Sequence, residues 1–130
     1  MHPFRLAIEA RDVEAATALL AEDVTFVSPV AFRPYTGRGI AAAILRGASA
    51  IFDDFHYINE ISQPDGRHHA FVFKARIGDR EIQGCDFVRD NENGLIDEFM
   101  VMVRPLSAAK ALAKAMEEKL ALIECEVDLV

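Results

Sequence analysis

The period of the hydrophobic pattern changes at Phe55, and this change limits the chain to few folds. Before Phe55 apolar residues recur at helical spacing, and over residues 55–104 they alternate with polar neighbours. Three turn sequences interrupt the alternation: Pro64-Asp65-Gly66, Gly78-Asp79 and Asn91-Glu92-Asn93-Gly94. Because strands joined by such short turns pair antiparallel, residues 55–104 are predicted to form a four-strand meander.

The first part of the chain has helical patterns around one short strand. Helices are predicted over residues 3–11 and 13–21, with Asp12 as the N-cap of the second helix and Glu14 in its first turn. Residues 24–28 are β-branched and aromatic and stop before a proline, which is typical of a strand.

Two further helices are predicted, one on each side of the meander. The loop over residues 29–39 leads into a third helix at 40–52. Ser107 is predicted to cap the last helix, which carries Leu112, Met116 and Leu120 at helical spacing. The tail 121–130 is apolar and acidic and receives no assignment from its pattern.

Composition narrows the classes of partner. The chain has 130 residues, 52% of them hydrophobic, which favours one folded domain over disorder. A formal net charge of −7 disfavours nucleic acid and an anionic membrane surface as partners. No apolar run is long enough for a membrane span or a secretory signal, and the two cysteines, Cys85 and Cys125, make no disulfide framework. We therefore expect a cytoplasmic protein, and a small neutral or hydrophobic molecule remains open as its partner.

The last two predicted strands are apolar on both faces. Phe99 and Val101 alternate with Met100 and Met102, and the preceding strand repeats this pattern. An antiparallel sheet normally keeps one face in water, so another element must cover the second face. The last helix and a second subunit are the two candidates.

The motifs and their order resemble a known superfamily. They are Arg11-Asp12-Val13-Glu14-Ala15, then residues 19–26, then Tyr35-Thr36-Gly37-Arg38-Gly39-Ile40, and finally Cys85-Asp86-Phe87-Val88-Arg89 with Asn93-Gly94-Leu95-Ile96. Over residues 3–104 this order is similar to the nuclear transport factor two-like superfamily, which includes SnoaL-like polyketide cyclases and ketosteroid isomerases.

The resemblance implies an α+β fold in which a cone-shaped, curved antiparallel sheet packs on three N-terminal helices, with an extra C-terminal helix. Residues 1–106 are expected to form the SnoaL-like pocket domain, and 107–130 the C-terminal helix and tail of the same domain. The resemblance also implies a homodimer through the outer face of the sheet.

The catalytic groups of ketosteroid isomerases carry over only in part. The resemblance implies an Asp base before a proline, where this chain has Ser28, and a Tyr on the first helix, where it has Phe4. The second acid is present as Asp86. Because two of the three groups are missing, the sequence argues against that isomerase. A SnoaL-like cyclase needs one acid/base carboxyl and a shaped pocket, and Asp86 can supply the carboxyl.

Asp86 is the candidate catalytic residue because it shares strand parity with Ile82 and Val88. Desolvation on such an apolar row raises the pKa of a carboxyl. The alternative is a structural acceptor of hydrogen bonds. Further pocket residues are predicted on the same inner rows and on the loop before the third helix: Phe26, Ser28, Tyr35, His69, Phe71, Phe73, Phe99 and Val101.

Several other polar residues leave two interpretations open. His69 is either a proton donor beside Asp86 or a strand-end histidine that bonds the backbone. Asp97 lies either at the pocket mouth or in water at a hairpin end. Arg33 and Arg38 either line the entrance or form surface salt bridges.

No metal or cofactor is expected. His68 and His69 are adjacent, so strand alternation sends them to opposite faces, and no paired-histidine motif occurs. Residues 36–39 lack the spacing and the lysine of a phosphate-binding loop. Three functions therefore stay open: a lyase, isomerase or cyclase using Asp86, a non-catalytic pocket for a small hydrophobic molecule, and a dimerisation module with a filled cone.

Overall fold

The computed structural model describes the backbone of residues 1–128 and the side chains of residues 1–119. Within that part the chain forms four helices and six strands. They are α1 (Pro3–Glu9), α2 (Val13–Thr17), β1 (Leu20–Val27), β2 (Tyr35–Thr36), α3 (Arg38–Ile51), β3 (Asp53–Ser62), β4 (His68–Ile77), β5 (Arg80–Asp90), β6 (Ile96–Arg104) and α4 (Leu106–Asp128).

The strands form one curved sheet in the order β2-β1-β6-β5-β4-β3. The predicted meander is confirmed, because each neighbouring pair from β3 to β6 is antiparallel. One pair departs from the antiparallel sheet that was expected, since β1 pairs parallel with β6. A short turn forces two strands to be antiparallel, whereas the long connection from β1 to β6 leaves the direction to tertiary packing.

Two predicted boundaries are wrong. The second helix ends at Thr17 rather than 21, and β1 begins at Leu20 rather than 24. Leu20 is fully buried and pairs with Ile96, so contacts with the sheet override the helical propensity of this alanine- and leucine-rich stretch. Ser107 lies inside α4 and not at its cap, because the helix already begins at Leu106. The Asp12 cap is confirmed by its side-chain bond to the amide of Ala15, at 3.0 Å.

The helices cover the concave face of the sheet. The inner rows of the meander are buried as predicted and supply Phe71, Phe73, Ala75, Ile82, Val88 and Phe99 to the core. Phe4, Ala16 and Ile44 reach this core from the first three helices, and Leu112 and Met116 reach it from α4. Because α4 packs on the concave side, it does not cover the outer face of the sheet.

A bulge in β3 reverses the predicted faces at its end. Tyr57 stands opposite Phe73, but Asn59 stands opposite Val72, so two residues of β3 advance against one of β4. An uninterrupted alternation from Phe55 would bury Ile61, which is instead 57% exposed. An uninterrupted period of two fails there because the extra residue shifts every later side chain to the other face.

No helix within residues 1–128 is long and apolar enough to cross a membrane. Cys85 is a free, half-buried thiol. The side chains of Leu120 and Cys125, and the rest of the tail beyond Asp128, lie outside the described residues.

Candidate functional site

A cavity of about 100 Å³ lies between the concave face of the sheet and helices α1, α3 and α4. A single buried water needs roughly 10–15 Å³ by the same measure, so this space admits an organic ligand. Its described lining is mostly apolar and comprises Phe4, Ile8, Arg11, Val13, Phe26, Ser28, Pro29, Val30, Ile44, Leu45, Ala48, Ser49, Phe52, Phe55, Tyr57, Phe73, Asp86, Phe99, Val101, Leu112 and Met116. Six of the residues predicted from the sequence are therefore together here: Phe26, Ser28, Phe73, Asp86, Phe99 and Val101.

Asp86 lies at the inner end of this cavity. Its residue is 5% exposed, and the hydroxyl of Tyr57 donates a hydrogen bond of 2.7 Å to its Oδ2. Burial raises the pKa of Asp86 from its ordinary value to about 7, although the bond from Tyr57 opposes part of that rise. Near neutral pH the carboxyl is thus divided between its acid and its carboxylate forms.

The second carboxyl oxygen of Asp86 is available to a ligand. No hydrogen bond from a described group reaches Oδ1. Within residues 1–119 every fully buried side-chain nitrogen or oxygen has a hydrogen-bond partner. Because Oδ1 has none, it is not fully buried, and it keeps access to the cavity that Asp86 lines. A carboxyl held by one oxygen and open at the other can donate or accept one proton at a fixed place.

Sequence analysis missed Tyr57. Its ring packs edge-on against Phe55, Phe71 and Phe73, and it is 5% exposed. Desolvation, followed by the charge and hydrogen bond of Asp86, raises the pKa of Tyr57 well above its ordinary value, so the hydroxyl stays a donor. Its place on the apolar row with Phe55 was the signal available in the sequence.

The two positions that lack the isomerase groups do line the cavity. Phe4 is 1% exposed and offers only its ring. The hydroxyl oxygen of Ser28 accepts a hydrogen bond of 3.2 Å from the backbone amide of Val30, so it stabilises the local turn. Among the described lining residues Asp86 is the one carboxyl.

Three residues predicted to line the pocket lie elsewhere. Phe71 is fully buried among Phe4, Tyr57 and a histidine pair beneath the cavity. Tyr35 pairs with Phe26 across the short edge strand β2. His69 is the second residue of β4 and stands opposite Val88, whereas Phe71 stands directly opposite Asp86. Strand parity gave His69 and Phe71 the correct face but not their access to the cavity.

His69 belongs to a separate cluster with His2 and Asp90. The Nε2 atoms of both histidines lie 3.0 Å from Oδ2 of Asp90. Three such ligands lie close enough together to surround a metal ion. However, the amide of Phe4 donates to Nδ1 of His2 at 3.0 Å, so the proton of this ring is on Nε2 and no lone pair faces Asp90. The cluster is a set of hydrogen bonds that joins the start of α1 to the sheet.

The remaining polar candidates also have definite places. Oδ1 of Asp97 lies 2.9 Å from Nε of Arg89 in an ion pair near the last hairpin. Asp97 does not line the cavity. His56 and His68 are exposed. Arg33 and Arg38 are absent from the lining of the cavity, whereas Arg11, which the sequence did not suggest, is part of it.

A curved sheet with helices on its concave face and one buried acid in an apolar cavity defines the cone-shaped pocket proteins of the nuclear transport factor two-like superfamily. Comparison with known proteins narrows this class. Residues 3–99 match the SnoaL-like domain. The chain belongs to the SnoaL-like domain family.

Two solved structures resemble the whole chain. A steroid delta-isomerase from Pseudomonas aeruginosa is 38% identical, with 92% of this chain and 87% of that chain covered and a TM-score of 0.85. An uncharacterised protein with a cystatin-like fold from Silicibacter pomeroyi is 33% identical, with 93% and 87% covered and a TM-score of 0.85. No match is found among curated proteins.

Proposed function

We propose that this protein binds a small hydrophobic carbonyl compound and acts on it as an isomerase, lyase or cyclase, with Asp86 as the acid/base. One observation carries the proposal: a carboxyl in an apolar cavity is held by Tyr57 at 2.7 Å, and its pKa is raised to about 7. Perturbed acids in clefts are typical of groups that transfer protons.

The chemistry follows from a site with one carboxyl. As a carboxylate, Asp86 removes a proton from the carbon beside a carbonyl. As the resulting acid, it returns that proton to a different carbon or to the oxygen, so the protein ends in its starting state. An isomerisation therefore balances with Asp86 alone. A step that needs a separate base at the same time is disfavoured, because Asp86 is the one carboxyl among the described lining residues and a serine hydroxyl such as that of Ser28 is not a base near neutral pH.

Similarity to the steroid delta-isomerase makes steroid ketones the first ligands to test, together with smaller hydrophobic ketones. The second candidate function is a non-catalytic pocket for the same ligands. Phe4 and Ser28 favour the non-catalytic pocket, because they stand where the resembling ketosteroid isomerases have a Tyr and an Asp base. The cavity itself argues against a module with a filled cone.

The pH dependence of binding tests the proposal. If neutral Asp86 donates to the ligand carbonyl, affinity should be about 30-fold higher at pH 5.5 than at pH 8.5, given a pKa of about 7. Calorimetry with a panel of steroid and aliphatic ketones measures this. Tyr57→Phe should move the midpoint to higher pH, because the bond from Tyr57 lowers the pKa of Asp86. Ketone affinity that is flat across this range in the wild type would contradict a role for Asp86.

We also propose a homodimer through the outer face of the sheet. Phe87 is 38% exposed and Met102 is 54% exposed, although both lie in the middle of the meander. A groove along this face is lined in part by Val27, Phe87 and Met100. Apolar exposure of this kind is typical of an interface, and a second copy supplies a matching apolar surface.

Met102→Glu should shift the protein towards the monomer by placing a charge in that interface. Sedimentation velocity in dilute solution measures the change. Leu6→Glu is the control, because Leu6 is similarly exposed, at 52%, but lies on α1. A wild-type protein that sediments as a 14.4 kDa monomer would contradict the dimer.

A further inference from the structure

Arg11 is the one cation among the described residues that line the cavity. Of that lining, only Arg11 and Ser49 are exposed to solvent, and the part of the lining beside Arg11 is termed the mouth. Asp86, by contrast, lies at the buried end. The cavity thus has a buried acid at one end, apolar walls, and a guanidinium at the mouth.

The charge of Arg11 has no partner within the part of the chain whose side chains are described. Arg5, Arg46 and Arg89 each pair with a carboxylate. No described carboxylate pairs with Arg11, although the chain carries an excess of acidic residues. No carboxylate among the described side chains therefore competes with a ligand for its guanidinium.

The backbone at Arg11 is also unusual. Its φ of 62° is in the left-handed region, where a Cβ lies too close to the backbone and the conformation is strained. Its amide bonds the carbonyl of Ile8 at 3.0 Å and ends α1. A glycine suits this position better, so strain at an arginine that lines a cavity favours a function for its side chain.

We propose that Arg11 binds a carboxylate of the ligand, so that the pocket accepts a hydrophobic oxo acid. This inference rests on the proposed function, because the oxo group is the part that Asp86 contacts. The apolar chain of the ligand lies against the walls, which include Phe99, Leu112 and Met116. A guanidinium matches the two oxygens of a carboxylate. A dianionic phosphate fits less well, because no second cation lines the mouth among the described residues.

Matched ligands test this assignment. Straight-chain keto acids of six to fourteen carbons are compared with their methyl esters and with methyl ketones of equal length, by calorimetry at pH 6. The wild type should bind the best-fitting acid about tenfold more tightly than its ester, since hydrogen bonds between charged groups are stronger than those between neutral groups. Arg11→Gln should abolish this preference and leave ester affinity unchanged.

Two variants serve as controls. Arg33→Gln removes an exposed arginine that does not line the cavity, and it should keep the preference for acids. Arg11→Gly removes the charge and suits the φ of 62°, so it should lose the preference while being at least as stable as the wild type. Together they separate the effect of the charge from that of the backbone.

Each outcome decides between the two proposals. Acids and esters that bind equally to the wild type would overturn the role of Arg11 while ketone binding still supports the proposed function. A preference that persists in Arg11→Gln would overturn it as well. Tighter binding of a phosphate monoester of equal length would overturn the choice of carboxylate. Absence of binding by acids, esters and ketones alike would overturn both proposals.

Discussion

Asp86→Asn is expected to make the protein more stable at pH 8 by as much as ~4 kcal/mol, the cost of ionising a carboxyl whose pKa rises from 3.8 to about 7 on folding. The native state binds more protons than the unfolded state between these two values. Wild-type stability from this group is therefore complete below pH 4 and is lost as the pH rises through 7. Asn keeps an oxygen for the hydroxyl of Tyr57 but cannot ionise.

Denaturant unfolding at pH 4.5 and pH 8 measures the effect. Asp79→Asn is the matched control, because Asp79 is exposed in the turn between β4 and β5 and should change neither value appreciably. The same decline in stability with pH in the wild type and in Asp86→Asn would show that Asp86 is not the group responsible.

The same variant separates catalysis from structure. If Asp86 transfers protons, Asp86→Asn should lower turnover of a ketone substrate by about 10²–10⁴-fold while binding persists. Stability, which rises at pH 8, cannot explain such a loss. Unchanged turnover in a folded variant would restrict Asp86 to a structural role.

Gly84→Ala is expected to destabilise the protein by about 1–3 kcal/mol, because the core there has no room for a methyl group. A Cβ on Gly84 would meet the ring of Phe73 and would lie 2.8 Å from the carbonyl oxygen of Met102. The carbonyl belongs to the neighbouring strand and cannot move freely. The ring of Phe73 is packed against Phe52 and Phe55, so it too would have to shift, and it would shift into the cavity.

Gly39→Ala provides the comparison. Nothing lies within 4 Å of a Cβ at Gly39, which is in the first turn of α3 without a positive φ. Alanine favours a helix over glycine by up to about 1 kcal/mol, so this variant should be neutral or more stable. Thermal or denaturant unfolding of both variants tests the pair, and a Gly84→Ala protein as stable as the wild type would contradict the close approach between β5 and β4.

These two positions connect stability with the site. Asp86 and Gly84 are on the same inner row of β5, one facing the cavity and the other giving space to a ring that lines it. Because burial raises the pKa of Asp86, its ionised form is unfavourable in the core, which is typical of a residue whose function outweighs its cost in stability.

The sequence by itself determined the meander and the inner row of β5. Short turns force antiparallel pairing, and a period of two assigns each residue of an uninterrupted strand to one face. Asp86 was therefore placed correctly among Ile82 and Val88, and the likeness of the motifs identified the fold.

Tertiary structure alone decided what Asp86 contacts. The bulge after Tyr57 changes faces within β3, and the bond from Tyr57 joins residues 29 positions apart. His69 shares the face of Asp86 but stands opposite Val88, two residues further along β5, because parity carries no information about distance along a strand. The parallel pairing of β1 with β6 and the place of Arg11 at the mouth also depend on how the helices pack. The local sequence pattern determines to which face of the sheet a side chain points. The position of Asp86 in the cavity, its burial and its raised pKa arise from contacts between segments distant in sequence.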